Sequence, residues 1–243
     1  MTTSNKVALL VGAGDAIGAA VARRFARGGF TVCVARREAA KSAALLDEIQ
    51  AAGGQAHAFS VDARSEEAVQ SLFQDVEQRI GPIEVCLFNA GSNVNKPILE
   101  TSQKLFFKAW ELACCAGFLV GREAASHMIK RGHGTMLFTG ATASLRGRDG
   151  MSAFAGAKHA LRALAQSMAR ELGPRGVHVA HVVVDGAIDT DFIRENFPER
   201  YALKAQDGIL NPEHIAENYW MLHRQPRDAW THELDLRPYG ETW

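Results

Sequence analysis

The sequence has no apolar run approaching the roughly 20 residues that a membrane-crossing helix needs, so no span is expected. It also lacks any excess of charge. The 27 basic and 27 acidic residues balance, which removes a global electrostatic reason to expect nucleic acid or an anionic membrane as partner. The opening residues, MTTSNKVALLVGAGD, hold only a short apolar run broken by glycines, with no small-residue cleavage pattern behind it. A soluble, cytoplasmic chain is the expectation. Cysteine is sparse: Cys33, Cys86, Cys114 and Cys115 all sit in apolar runs, and none forms C-x-x-C. A disulfide framework or zinc site is therefore disfavoured, and reduced core thiols are expected. The nine histidines are scattered. His178 and His181 are close, but an odd spacing on a strand sends them to opposite faces. No metal site is assigned. Repeats, charge blocks and dividing linkers are absent too, which points to one domain over residues 1–243.

What is present is a regular alternation. Hydrophobic residues make up 47% of the 243 positions, enough for a sizeable core. KVALLV, FTVCVA, QAHAFSVD, IEVCLFNAG, GTMLFTG and VHVAHVVVD read as six strands. Between them run helical patterns: Ile17 to Arg27, Glu38 to Ala52, Ser65 to Ile80, Ser102 to near Lys130, and Met151 to Gly173. Ser65 is placed to cap its helix, with acids in the first turn where the helix dipole favours them. NPEHIAENYWMLH looks helical, with Pro212 in its first turn, and the tail holding THELDL reads as either a short last strand at the edge or a subunit contact. Continuous apolar strands alternating with helices predict an α/β fold, a Rossmann-type doubly wound parallel sheet with helices on both faces. Ligands of such sheets bind at the carboxyl ends of the strands.

The segment GAGDAIG, from Gly12 through Gly14, Asp15, Ala16 and Ile17 to Gly18, follows the first strand and opens the first helix. Glycine lets the backbone turn tightly and approach a pyrophosphate, and the helix N-terminus offers free N–H groups to its oxygens. The strand–turn–helix context is what this motif requires. The second strand ends in ARRE. That position meets the adenosine ribose, where an acid would hold two hydroxyls and arginine suits a 2′-phosphate. Arg36 and Arg37 thus favour NADP over NAD. Asp15 stands as an objection, since an acid near the phosphate weakens its binding.

Taken together, these features resemble the short-chain dehydrogenase/reductase family from Lys6 to about Thr190. The family's T-G-x-x-x-G-x-G becomes Val11, Gly12, Gly14, Asp15, Ala16, Ile17 and Gly18 in order, with Val in place of Thr and Ala16 in place of the middle Gly. Asp62, followed by Ala63, matches the adenine-contacting acid. FNAG is similar to N-N-A-G, keeping Asn89, Ala90 and Gly91. GAIDT is similar to the segment that holds the nicotinamide amide, with Gly186, Ile188 and Thr190 kept and Asp185 in place of a proline. The resemblance implies a small-molecule carbonyl or alcohol substrate, and a homodimer or homotetramer that pairs the two long helices.

The resemblance also implies a catalytic Asn, Ser, Tyr and Lys. Lys158 matches the lysine, which holds the nicotinamide ribose and lowers the phenol's pKa. Phe154 stands at the Tyr position, Ala141 at the Ser position and Ala113 at the Asn position. The cofactor half of the pattern is kept and the proton-handling half is not. General acid catalysis contributes ~10²–10⁴-fold, or ~3–5.5 kcal/mol of barrier, so its loss slows hydride transfer without forbidding it. Thr139, Thr142, Ser144, Asp149 and Ser152 lie near enough to be weighed as replacements, whereas His159 falls on another side of the helix from Phe154. Three readings stay open. They are an NADP-dependent oxidoreductase with a rerouted proton path, a non-catalytic NADP-binding pseudoenzyme or regulatory subunit, and a non-redox enzyme using the nucleotide structurally. The substrate pocket would draw on residues 92–100, 144–152 and 189–201. There Phe192, Phe197 and Tyr201 form either an apolar lid or a core-packing face.

Overall fold

Apolar residues in unbroken runs can hide both faces of a strand, and the chain uses them in that way. The structure is a computed structural model and describes residues 6–91 and 93–242. In it β1 (Val7–Val11), β5 (Gly134–Thr139) and β6 (Val177–Val184) are buried at every position. With β2 (Thr31–Arg36), β3 (Gln55–Ser60), β4 (Ile83–Phe88) and β7 (Glu233–Leu236) they form one seven-stranded sheet, ordered β3-β2-β1-β4-β5-β6-β7. Every pairing is parallel. The alternation of side chains along β1 divides the core. Val7, Leu9 and Val11 face one helical layer, and Ala8 and Leu10 face the other.

The first layer is built from α3 (Glu66–Arg79), α5 (Ala116–Arg131) and α6 (Ser152–Leu172). The second is built from α1 (Ile17–Arg27) and α9 (Pro212–Arg224), whose Tyr219 and Leu222 are fully buried. Helix α2 (Ala43–Ala51) is preceded by a tighter turn over residues 39–42, so the expected helix starts later than its sequence pattern. Ser65 caps α3, its hydroxyl accepting from the Ala68 N–H at 3.2 Å. The four cysteines are free thiols, three buried and Cys115 half-buried.

The long helix expected from Ser102 to Lys130 is interrupted. It starts as α4 (Gln103–Trp110), passes through one wide π turn at Glu111–Cys115, and continues as α5. Such single-turn bulges concentrate at functional positions, and this one contains Ala113. Gly117 and Gly121 in α5 face Leu161 and Met168 of α6. A Cβ on either would come within 3 Å of those side chains, so their small size serves core packing. Two further short helices, α7 (Asp191–Asn196) and α8 (Pro198–Ala202), follow β6. Among the described residues no helix is long and apolar enough to cross a membrane.

The order of strands decides where a ligand can enter. The chain winds outward from β1 through β2 to β3, then restarts at β4 on the other side of β1. A crevice opens at the carboxyl ends of the two strands that flank such a reversal.

Candidate cofactor and active site

The residues after β1 and β4 meet at that reversal. Asn89 N–H donates to Val11 O at 2.8 Å, and its side-chain amide donates to Gly12 O at 3.2 Å. Gly12 has φ +81°, and a Cβ there would lie 2.5 Å from the Ala90 nitrogen. Both conditions demand glycine. Gly14 has nothing within 4 Å of where a Cβ would stand, so the floor beside it is clear. Gly18 packs α1 closely onto Ala13. We expect Gly12→Ala to combine left-handed strain with a backbone clash, together about 2–5 kcal/mol, and to push Ala90 into the crevice. Thermal melts and a nucleotide titration check it, and an unchanged melting point with full binding would remove the requirement for glycine.

The crevice encloses about 380 Å³ and is bordered by Gly12, Gly14, Arg36, Arg37, Asp62, Ala63, Asn89, Ala90 and Gly91. Residues that the sequence separates by up to 79 positions, from Gly12 to Gly91, thus share one cleft. At its outer end Arg36 Nη1 pairs with Asp15 Oδ1 at 2.7 Å, and Lys41 pairs with Glu38 at 2.7 Å. Arg37 is exposed. Asp62 is gripped by Arg64 through Nε and Nη2, at 2.9 and 2.6 Å. That hydrogen-bonded guanidinium holds the Asp62 carboxyl down at about 2. Arg64 was not anticipated from sequence, although its place two residues after an expected adenine contact is a usable signal. Ala16 and Ile17 open α1 behind the glycine loop, with Ile17 buried.

Lys158 and Phe154 lie one turn apart on α6, on one face. Lys158 is 5% exposed, and its ammonium donates to Thr139 O at 2.9 Å. Its Nζ sits 3.3 Å from where a Cβ on Gly91 would stand, so the amine reaches the inner end of the crevice. Burial pushes its pKa down to about 8. Ala113 is buried in the π turn, and Ala141 is half-buried just after β5. Phe154 is half-buried as well. The three positions that should carry hydroxyl and amide groups are thus apolar.

The hydroxyls weighed as replacements are mostly engaged. Thr139 Oγ1 bonds the buried Tyr219 hydroxyl at 2.8 Å. Ser144 is fully buried and accepts from the Ala141 N–H at 3.1 Å. Thr142 donates to Asp185 Oδ1 at 2.5 Å. Asp149 is exposed on its loop, and His159 is exposed with its ring on Ala155 O, away from Phe154. Ser152 Oγ is buried without a partner among the described residues.

Beyond β6, Gly186 has φ +149° and packs on Pro238. Ile188 pairs as an isolated bridge with Leu210. Thr190 caps α7, accepting from the Ile193 N–H at 3.2 Å. Phe192 and Phe197 are 58% and 49% exposed and meet edge to face at 5.9 Å, so they do not pack on the core. Of the expected pocket segment at 92–100, Ser92 lies outside the described residues; Lys96 N–H donates to Gly150 O at 2.7 Å, tying this segment to the loop before α6.

Two polar groupings have no counterpart among the sequence expectations. Under Lys158, His181 is fully buried, with Nδ1 3.0 Å from Glu233, which Arg162 grips at 2.6 and 2.7 Å. Burial drives the His181 pKa down to about 4, with Glu233 acting in the opposite direction. At the end of β6, Asp185 is 1% exposed and joins Thr142 and Arg146. An acid at the close of an apolar strand was the available signal. His178 stacks on Trp230, consistent with its different surroundings from His181.

The comparisons with known proteins agree with this geometry. A sequence profile described as short chain dehydrogenase matches residues 6–200. A short-chain dehydrogenase from Rhodopseudomonas palustris is 47% identical, with 97% of this chain and 99% of that one covered and a TM-score of 0.83. A metagenomic short-chain oxidoreductase in complex with NADP is 25% identical, with 99% and 100% covered and a TM-score of 0.84. A 7α-hydroxysteroid dehydrogenase complexed with NADH and 7-oxo glycochenodeoxycholic acid is 29% identical, with 98% and 94% covered and a TM-score of 0.88. The sheet order, the glycine crevice, the placement of Lys158 and these matches lead to one conclusion: the chain belongs to the short-chain dehydrogenase/reductase family.

Proposed function

We propose that the chain, acting as one dinucleotide-binding unit, is an NADP-dependent oxidoreductase for a carbonyl or alcohol in a small molecule, working without a phenol as proton donor. The observation that carries this reading is Lys158. An ammonium buried to 5% exposure, with one backbone acceptor and no carboxylate partner among the described residues, is costly to maintain. Its position at the inner end of the glycine crevice gives that cost a use, since a ribose hydroxyl arriving there would be its second partner.

A nicotinamide nucleotide, when bound, supplies the hydride chemistry that no side chain can. The chain's own residues do the rest. The amides around Gly12 to Gly18 and the start of α1 would take the diphosphate. Asp62 and Ala63 would border the adenine, and Asn89 to Gly91 the middle of the molecule. Gly186, Ile188 and Thr190 would hold the amide end. Arg37, exposed and without a carboxylate partner among the described residues, supports the choice of NADP. Arg36 reaches the same phosphate only by sharing with Asp15. The exposed Phe192 and Phe197 favour an apolar flank on the substrate. Phe107 and Phe118, 51% and 42% exposed on α4 and α5, support self-association through that face into a homodimer or homotetramer.

Calorimetric titration tests the cofactor choice. NADPH is expected to bind at least about tenfold more tightly than NADH, and Arg37→Ala to remove most of that difference, since one charge-assisted hydrogen bond contributes about 1.5–3 kcal/mol. Equal affinities in the unaltered chain would sink the NADP assignment, and no uptake of either nucleotide would sink the whole reading. The second reading, a non-catalytic NADP-binding protein, draws on the joint absence of polar groups at Ala113, Ala141 and Phe154.

A further inference from the structure

With apolar side chains at 113, 141 and 154, a carbonyl oxygen placed beside Ala141 would find none of the expected side-chain donors. One charged grouping stands at this place. Asp185 ends β6, is 1% exposed, and accepts from Thr142 Oγ1 at 2.5 Å. Arg146 Nη2 lies 3.2 Å from its Oδ2 and 3.4 Å from its Oδ1. Thr142 immediately follows Ala141, and Asp185 immediately precedes Gly186. The guanidinium therefore links the segment that should hold the substrate oxygen to the segment that should hold the nicotinamide amide.

Stability alone gives a poor account of this grouping. Burying a carboxylate costs several kcal/mol, and an apolar replacement of a buried ion pair is often neutral or better. The ion pair is also one-sided. Asp185 is sealed, whereas the Arg146 side chain is 36% exposed. Its loop is fixed at both ends, by Leu145 N–H and Arg146 N–H on Thr142 O at 3.0 and 3.1 Å and by Lys96 N–H on Gly150 O at 2.7 Å. A cation held by Asp185 between these two segments is what charge developing on an oxygen requires. A guanidinium can polarise that oxygen through its N–H donors, and the proton then has to come from water.

We infer that Arg146 is a catalytic residue that binds and polarises the substrate's carbonyl oxygen in place of the missing hydroxyls, with Asp185 and Thr142 as its positioning residues. The inference rests on the oxidoreductase reading above. In the reduction direction, the carbonyl carbon gains a C–H bond by accepting hydride from the reduced nicotinamide nucleotide, which is thereby oxidised. The C=O π pair moves onto oxygen, where Arg146 holds the charge. Water then supplies the proton and leaves hydroxide to the buffer.

The test uses the full chain with NADPH and a panel of aldehydes and ketones, comparing Arg146→Ala, Arg146→Lys and, as a control outside the site, the exposed Arg79→Ala on α3. Arg146→Ala is expected to lower kcat by ~10²–10³-fold, with KM and NADPH affinity within about threefold. Arg146→Lys should recover part of the rate, Arg79→Ala should match the unaltered chain, and sub-denaturing guanidinium should rescue Arg146→Ala. A loop-holding role would show no such rescue. Arg146→Ala at the unaltered rate, or a loss that neither lysine nor guanidinium repairs, overturns the inference while leaving the oxidoreductase reading in place. If the unaltered chain binds NADPH yet reduces nothing in the panel, acetate serves as an oxyanion probe by NMR titration of the NADP complex. Saturable binding lost in Arg146→Ala supports the site, and its absence overturns it. Failure to take up NADPH overturns both.

Discussion

Phe154→Tyr combined with Ala141→Ser is expected to raise kcat for carbonyl reduction by ~10²-fold or more, within the ~10²–10⁴ that general acid catalysis supplies. The geometry is already prepared. Position 154 lies one helical turn before Lys158 on the same face of α6, so a phenol there would have the buried ammonium as its neighbour. A cation close to a phenol favours the phenolate and brings its pKa down towards neutrality. Residue 154 is half-buried, so the added hydroxyl would not be sealed away from a substrate. Serine at 141 would add a second donor beside the same oxygen. Steady-state kinetics with NADPH, run alongside each single variant, reads the effect, and most of the gain should travel with the tyrosine because the proton is what the unaltered site lacks. The same experiment separates the two functional readings. An unaltered chain that is inert, beside an active double variant, identifies a nucleotide-binding protein that has given up turnover. An active unaltered chain that gains less than about threefold would mean that proton supply does not limit it, and the prediction would fail.

The fold was legible because its signals are local and redundant. Five of the seven strands, β1, β2, β4, β5 and β6, are buried at every position or all but one, whereas β3 mixes Gln55, His57 and Ser60 with its apolar residues and the tail holding THELDL read equally as an edge strand or a subunit contact. Gly12 and Gly18 announced the crevice because backbone conformation or close approach leaves few other residues possible there. Lys158 was found because it lies one turn from the position where a tyrosine should have been. The unread parts depend on distances in space. Arg146 and Asp185 are 39 positions apart, and nothing in either neighbourhood names the other. Arg162, His181 and Glu233 come from a helix and two strands that only the folded sheet brings together. The π turn at Glu111–Cys115 has no compositional mark, because ACCAGF suits an α-helix equally well. By its charge alone Asp15 opposes a 2′-phosphate. The structure pairs it with Arg36, so within the NADP reading proposed above the selecting role would shift to Arg37, a distinction that no spacing rule could draw.

Lys158→Met should move stability and cofactor affinity in opposite directions. Burial holds the Lys158 pKa at about 8 in the folded chain, against an ordinary value of 10.5. Between these two values the unfolded chain binds the proton and the folded chain does not, so stability rises with pH across that window. Below pH 8 both states carry the charge and the full burial penalty of about 3 kcal/mol stands. Methionine has a similar length and no charge to desolvate, so the variant escapes the penalty at neutral pH. It also loses the hydrogen bond to Thr139 O, which offsets about 1 kcal/mol. Urea unfolding at pH 7 should therefore show Lys158→Met more stable by about 1–2 kcal/mol, with the rise between pH 8 and 10 flattened. NADPH affinity should fall at least tenfold, about 1.4 kcal/mol, as the ribose loses its ammonium partner. A variant that is less stable at pH 7 and keeps the unaltered slope would show that the amine is better compensated than its single backbone acceptor allows. One that binds NADPH as well as the unaltered chain would detach Lys158 from the cofactor, and with it the observation on which the oxidoreductase reading stands.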